Sequence, residues 1–427
     1  MIEALLPTYH PANPLIPCLL LIVIGLVLNS RHAKSWTSTS LASRFTKSST
    51  PHAPPPAPTA PETLNFAAIK PVKGLPTLTT KPNWPRYWKP GKFQMTMALR
   101  KLDINNWFNY DTLFDEEHAA KVAMVRGPNP ELYVDYLDGI DEPVLELFDT
   151  VVQYVTTRFP DMFRTDGEYV YIDHLNEKYR VREPFDIHPL AVTGLLVHDD
   201  IYLLKKGVRD LYYLRGAFLA CPSGWRLQQR IGWPLHQIHD PIPLWKEKLQ
   251  KSMERYAVLV FTCITSPENN TNKVNMSSFF LTIKPIKPIQ RNNLFIQPVP
   301  GIFHVVPFEK APVCTSYEQV HIRTELQSLS KLPRSEAVIF TVRTYVTPLS
   351  ALSTEPAHLE TLWDHVRNFP EDIAEYKCRH LWNDVFEVYC REMLGKNDPD
   401  NANDGKGEVD AEMARARVGG RVCPAGF

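Results

Sequence analysis

The stretch richest in side chains able to do chemistry is WRLQQRIGWPLHQIHDPIPLW, residues 225–245. It places His236 and His239 three residues apart, with Pro234 before them and Pro241 and Pro243 after. Proline disfavours a helix through such a segment, so a constrained loop is expected, a setting in which functional side chains are often presented. Three roles fit these imidazoles. Both can be structural, with ring nitrogens bonded to backbone. They can form a non-haem metal pair with a carboxylate such as Asp240. One can be an axial ligand to haem iron, its other ring nitrogen fixed by a hydrogen bond. Spacing does not choose among them.

Two further stretches add charge. In GLLVHDDIYLLK (194–205), His198, Asp199 and Asp200 interrupt two apolar runs. They mark either a turn or a polar feature facing a cavity, where a desolvated carboxylate becomes a candidate proton donor or acceptor. In HIRTELQSLSKLPRSEAVIFTVRTY (321–345), Arg323, Glu325 and Gln327 alternate, with a helical turn expected before LPRS. Arg323 or Arg343 can grip a carboxylate through a bidentate fork; the plainer alternative is an Arg–Glu surface pair. No GxSxG elbow, HExxH, Walker sequence or GxGxxG is present, so serine hydrolase, zincin, kinase and Rossmann readings have nothing specific behind them.

The elements that must position these residues are legible from periodicity. Apolar residues from Val144 to Val155 recur at helical spacing over 143–159, with Asp141 placed to cap the helix and Pro160 to end it. EYVYID (168–173) and AVIFTVRTY (337–345) alternate as strands. A second helix is expected from Glu371 to Leu394. Helices and strands are interspersed without a βαβ repeat, which gives a mixed α+β class.

The 427 residues carry 47 basic and 47 acidic side chains, so no basic footprint points to nucleic acid. The seven cysteines are scattered, without a CxxC pair, and read as buried thiols in a reducing compartment. Residues 15–28, LIPCLLLIVIGLVL, carry no charge; the nearest basic residues, Arg31 and Lys34, follow them. The run is shorter than the about 20 residues that cross a bilayer comfortably. It reads as an uncleaved single-pass anchor in residues 1–34, which would leave the main domain cytosolic. A Pro/Ser-rich linker (35–81), a folded domain (82–395) and a polar, disordered tail (396–427) follow.

Taken together, FQMTMALRKLDINNWFNYD (93–111), LDGIDEPVLELFDTVVQYVTTRFPDMF (137–163), LLVHDDIYLL (195–204), IGWPLHQIHDPIPLW (231–245), IQRNNLFIQ (289–297) and residues 323–345 resemble, in order, the haem-dependent oxidative N-demethylase family, alpha-subunit-like. The resemblance implies a PAS-like haem-binding core with flanking helices, preceded here by the N-terminal hydrophobic helix. It implies oxygen-dependent removal of an N-methyl group from a small amine, with electrons from a separate flavin and iron–sulfur reductase. Carried over, His239 of the family's IHxPxP pattern is the iron ligand, Arg323 and Gln327 match its R-x-E-x-Q pattern, and Asp199 and Asp200 match its acidic pair. This sequence departs from the family at Leu326, where arginine is usual, and at 257–278, a loop excursion or retained intron that holds sequons at Asn269 and Asn275. A haem-binding sensor without turnover and a membrane-tethered interaction protein are the competing functions.

Overall fold

The computed structural model describes residues 64–250, 283 and 288–396. The apolar run 15–28, the spacer to residue 63, the insertion 257–278 and the tail from residue 397 lie outside the described residues. Among the described residues no helix is long and apolar enough to cross a membrane.

The strands are β1 (Arg100–Lys101), β2 (Val134–Tyr136), β3 (Phe163–Thr165), β4 (Tyr169–Ile172), β5 (Glu177–Arg180), β6 (Asp200–Lys206), β7 (Tyr212–Phe218), β8 (Ile289–Gln297), β9 (His321–Lys331) and β10 (Val338–Pro348). Seven form one antiparallel sheet in the order β1-β8-β9-β10-β6-β7-β2, and β3-β4-β5 form a small meander. Besides a single helical turn at Pro76–Thr79, the α-helices are α1 (Phe114–Arg126), α2 (Asp141–Arg158), α3 (Pro189–Leu196), α4 (Leu235–His239), α5 (Pro356–Arg367), α6 (Glu371–Tyr376) and α7 (Asn383–Leu394). This is the mixed α+β class, built on an antiparallel sheet.

Strand alternation sorts the side chains of the large sheet onto two faces. Ile201, Leu203, Phe218 and Ile339 point to the face covered by α2 and α3, where Leu147, Phe148, Val151 and Val155 are all at most 1% exposed. Burying each such side chain is worth about 1.5–3 kcal/mol. Gly194 in α3 is required here: a Cβ would stand 2.2 Å from Cγ of Phe218. Leu204, Leu214, Leu329 and Val338 point the other way, towards Trp225, Ile238 and Trp245. The C-terminal helices pack a third cluster against Ile296, Ile322 and Tyr345 at one end of the sheet.

Several local expectations change. Asp141 is the first residue of α2 rather than its cap; Ile140 occupies the cap position without a side-chain bond. The expected helix 371–394 is two helices. Cys378 takes a left-handed conformation (φ 52°), and a 3-10 turn over Arg379–Leu381 buries Leu381 before α7 begins. No helical turn precedes LPRS: β9 runs through Lys331 in unbroken register with β10. Residues 64–81, counted with the linker by composition, bury Leu64 and Ile69 in the first core.

Candidate functional site

The sheet face opposite α2 and α3 forms the floor of a cavity of about 560 Å³. β6, β8, β9 and β10 supply the floor, the segment 225–249 one wall, and the ends of α5 and α6 with residues 85–98 the rest. The volume lies within the usual range for small-molecule and cofactor sites, about 300–1,000 Å³.

His239 reaches this cavity from α4. The prolines here shape a helix rather than prevent one: Pro234 is its cap residue, and it lasts only five residues, ending before Pro241. Nδ1 donates to the carbonyl oxygen of Leu235 at 2.6 Å, and the ring stacks on Trp245 with centroids 4.3 Å apart and planes at 14°. Burial pushes the imidazole down to about 4, with the Leu235 bond opposing the shift and Arg291 and Arg230 adding to it. The ring is therefore neutral at pH 7. Because Nδ1 carries the proton, the lone pair is on Nε2, which is how iron-ligating histidines are held by a backbone carbonyl. His236 is half-buried and does not line the cavity, and Asp240 is exposed, 3.4 Å from Lys246. Among the described residues no three His, Cys, Asp or Glu side chains converge as a metal site would need.

The two aspartates part company. Asp200 opens β6 and lies on the cavity floor, its Oδ1 accepting the backbone N–H groups of Ala220 at 2.8 Å and Cys221 at 3.1 Å. Burial raises it to about 6, with Lys121 and the two amides opposing. Asp199, one residue earlier, is turned to the other face, where burial raises it to about 7 against the pull of Arg343 and Lys121. There it joins a buried polar cluster. Arg343 donates to Glu117 at 2.6 Å and to Asp111 at 3.1 Å, His198 bonds Glu117, and Lys121 donates to the carbonyls of Val197 and His198 at 2.9 and 2.7 Å. Burial alone would raise Glu117, but Arg343 and His198 outweigh it and hold the carboxylate at about 2. The chain bends at 197–199 between α3 and β6, and Asp200 is the polar group that faces the cavity.

Arg323, 1% exposed, does not line the cavity. Its Nη2 donates to the carbonyl of Cys221 at 2.6 Å and to Thr344 Oγ1 at 3.3 Å, and its Nε donates to Glu325 at 3.1 Å. The Arg–Glu pair is real but buried, not at the surface. Glu325 does line the cavity, and Gln327, Asn293 and Ser223 also donate to it, at 2.9, 3.2 and 3.3 Å. Gln327 shares the cavity wall. Leu326 pairs with Arg343 across β9 and β10, on the face away from the cavity, so that departure from the family pattern leaves the cavity wall unchanged. Sequence reasoning passed over Arg291 and Lys377, which line the cavity from β8 and from just beyond α6. Their separation of 86 positions leaves no local signal that they converge.

Residues 98–387, well over half of the chain, match the family described as haem-dependent oxidative N-demethylase, alpha subunit-like. The chain belongs to this family. The match contains α1 to α6, the whole sheet and each candidate site residue from Asp111 to Lys377. The cavity fits the family's cofactor on its own chemistry: a neutral imidazole in its lining, walls such as Trp225, Ile238 and Phe340 for a flat apolar ring, and a buried Arg291 Nε with no acceptor among the described residues.

Proposed function

We propose that this chain is the haem-binding component of an oxidative N-demethylase acting on a small amine, with electrons from a separate flavin and iron–sulfur reductase. The observation that carries the reading is His239: a half-buried, neutral imidazole, locked by Leu235 and Trp245, in the lining of a cavity of cofactor size. Haem, when bound, would supply the activation of dioxygen that oxidises the N-methyl group and releases it as formaldehyde. The protein's contribution is the axial ligand, an apolar enclosure that keeps water from the reacting carbon, and a proton source. Asp200 suits the last role, since it is on the cavity floor and titrates at about 6, close enough to neutrality to hold or pass a proton. Asp199, one position earlier, faces the buried cluster on the other side of the sheet rather than the cavity. Gln327 and Glu325 offer polar contacts to a substrate, and Arg323 positions Glu325.

On the same reading the core is PAS-like, and the apolar run 15–28 tethers the domain to a membrane on its cytosolic side, which the basic residues after the run support. The test is oxygen consumption by the full-length, haem-loaded chain with a supplied reductant and a series of small N-methyl amines. Amine-dependent uptake with matching formaldehyde is the expected result. Haem incorporation without turnover across the series would favour a sensor instead.

A further inference from the structure

Of the four cations that line the cavity, Lys89 and Lys92 are exposed to solvent, whereas Arg291 and Lys377 are half-buried and have no carboxylate bonded to them among the described residues. The Arg291 side chain makes no hydrogen bond or ion pair among the described residues, and its buried Nε has no acceptor there. Lys377 donates from Nζ to the carbonyl oxygen of Leu294 at 2.6 Å and sits 4.0 Å from the centre of the Phe295 ring, which leaves it ammonium protons to spare.

The carboxylates of the cavity do not account for them. Glu325 is held by Arg323, Gln327, Asn293 and Ser223. Asp200 is held by two backbone amides with Lys121 behind it. Burial also disfavours the charge on both cations. It lowers Arg291, and it brings Lys377 to about 8, with Glu325 opposing and Arg291 adding to the shift. Two desolvated like charges in one enclosure are unfavourable in the empty protein and become favourable when a ligand brings the anion. Arg291 is also near enough to His239 for its charge to disfavour the imidazolium, so the cations and the imidazole share one site.

We infer that Arg291 and Lys377 form an anion subsite of this cavity and, resting on the haem reading above, that they receive the carboxylate side chains of the macrocycle. The planar guanidinium fork matches a carboxylate in two parallel hydrogen bonds, and the ammonium serves as a point charge beside it. Arg323, the arginine that the family pattern singles out, is committed to Glu325 and the Cys221 carbonyl and acts as a positioning residue.

The test is a Soret titration of the full-length protein with ferric haem and with its dimethyl ester, in which both carboxylates are capped. The parent should bind the diacid about ten- to a hundredfold more tightly than the diester. Arg291→Leu should lose most of that preference, Arg291→Lys should keep part of it, and Lys377→Met serves as an independent second variant. Denaturant unfolding without haem supplies a readout that a merely structural role would move in the other direction: Arg291→Leu should be as stable as the parent or more so. Equal affinity for diacid and diester, an unchanged preference in both neutral variants, or a destabilised haem-free Arg291→Leu would overturn the subsite while leaving the haem reading standing. No Soret band with either compound would overturn the haem reading itself, and the subsite assignment with it.

Discussion

Arg323 and Glu325 form a buried pair whose members are unequally protected, and that inequality can be measured. In Glu325→Gln the Arg323 guanidinium loses the carboxylate bonded to it and keeps neutral acceptors alone, among them the Cys221 carbonyl and Thr344 hydroxyl, while its buried Nη1 already has no acceptor among the described residues. Leaving such a cation uncompensated costs about 3–5 kcal/mol. In Arg323→Met the carboxylate keeps three neutral donors, from Gln327, Asn293 and Ser223, so the loss should be nearer that of one charged hydrogen bond, about 1.5–3 kcal/mol. The double variant Arg323→Met/Glu325→Gln removes the charge and its partner together. It should be more stable than the sum of the single losses requires, with a coupling energy of about 1–3 kcal/mol. Urea unfolding of the haem-free, full-length protein, followed by far-ultraviolet circular dichroism and tryptophan fluorescence, gives all four free energies. Strictly additive losses, or an Arg323→Met loss larger than that of Glu325→Gln, would refute the reasoning.

Asp199→Asn should change the pH dependence of stability. The folded-state pKa of Asp199 is raised above its unfolded value, so the parent binds the extra proton when folded and loses stability as pH rises towards about 7. The variant lacks that loss, so its stability relative to the parent should improve by on the order of 2 kcal/mol between pH 5 and pH 8 in parallel urea titrations; a constant gap would place the carboxyl elsewhere. His239 and His198 act in the opposite sense, since each is lowered to about 4 and adds stability as pH rises from about 4 to 6.5, so the comparison must be made between variants rather than on the parent alone. Gly194→Ala should lower the melting midpoint markedly, because its methyl group would meet the Phe218 ring at 2.2 Å in a close-packed core. A neutral effect would mean that α3 can move away from β7 at little cost.

How much of this was legible in the sequence depends on the range of the interactions that decided it. The helix over 141–158 and the strand over 338–348 are written in local periodicity, and both formed within a few residues of expectation. The break at Cys378 was hidden because the apolar spacing continues through it; what decides the break is the burial of Leu381 and Trp382 against the C-terminal core. The stretch around His239 stood out by composition, but its short helix and the Trp245 stack depend on backbone closure that no spacing reveals. Asp199 and Asp200 are neighbours in sequence and face opposite sides of the sheet, because β6 begins at the second of them. Arg323 carried the family pattern, whereas the half-buried cations facing the cavity are Arg291, opposite Gln327 in the β8–β9 register, and Lys377, brought in by a helix end. Such convergence is a property of the assembled sheet and helices, not of any one segment.

The central claim is that His239 holds haem iron in the cavity, and the most direct measurement is the absorption spectrum of the full-length protein, expressed with added haem precursor, beside that of His239→Ala. A Soret band in the parent that shifts or disappears in a variant with parental circular dichroism is the predicted result. A parent that folds without acquiring haem, or a variant whose Soret band is unchanged in position and intensity, would contradict it.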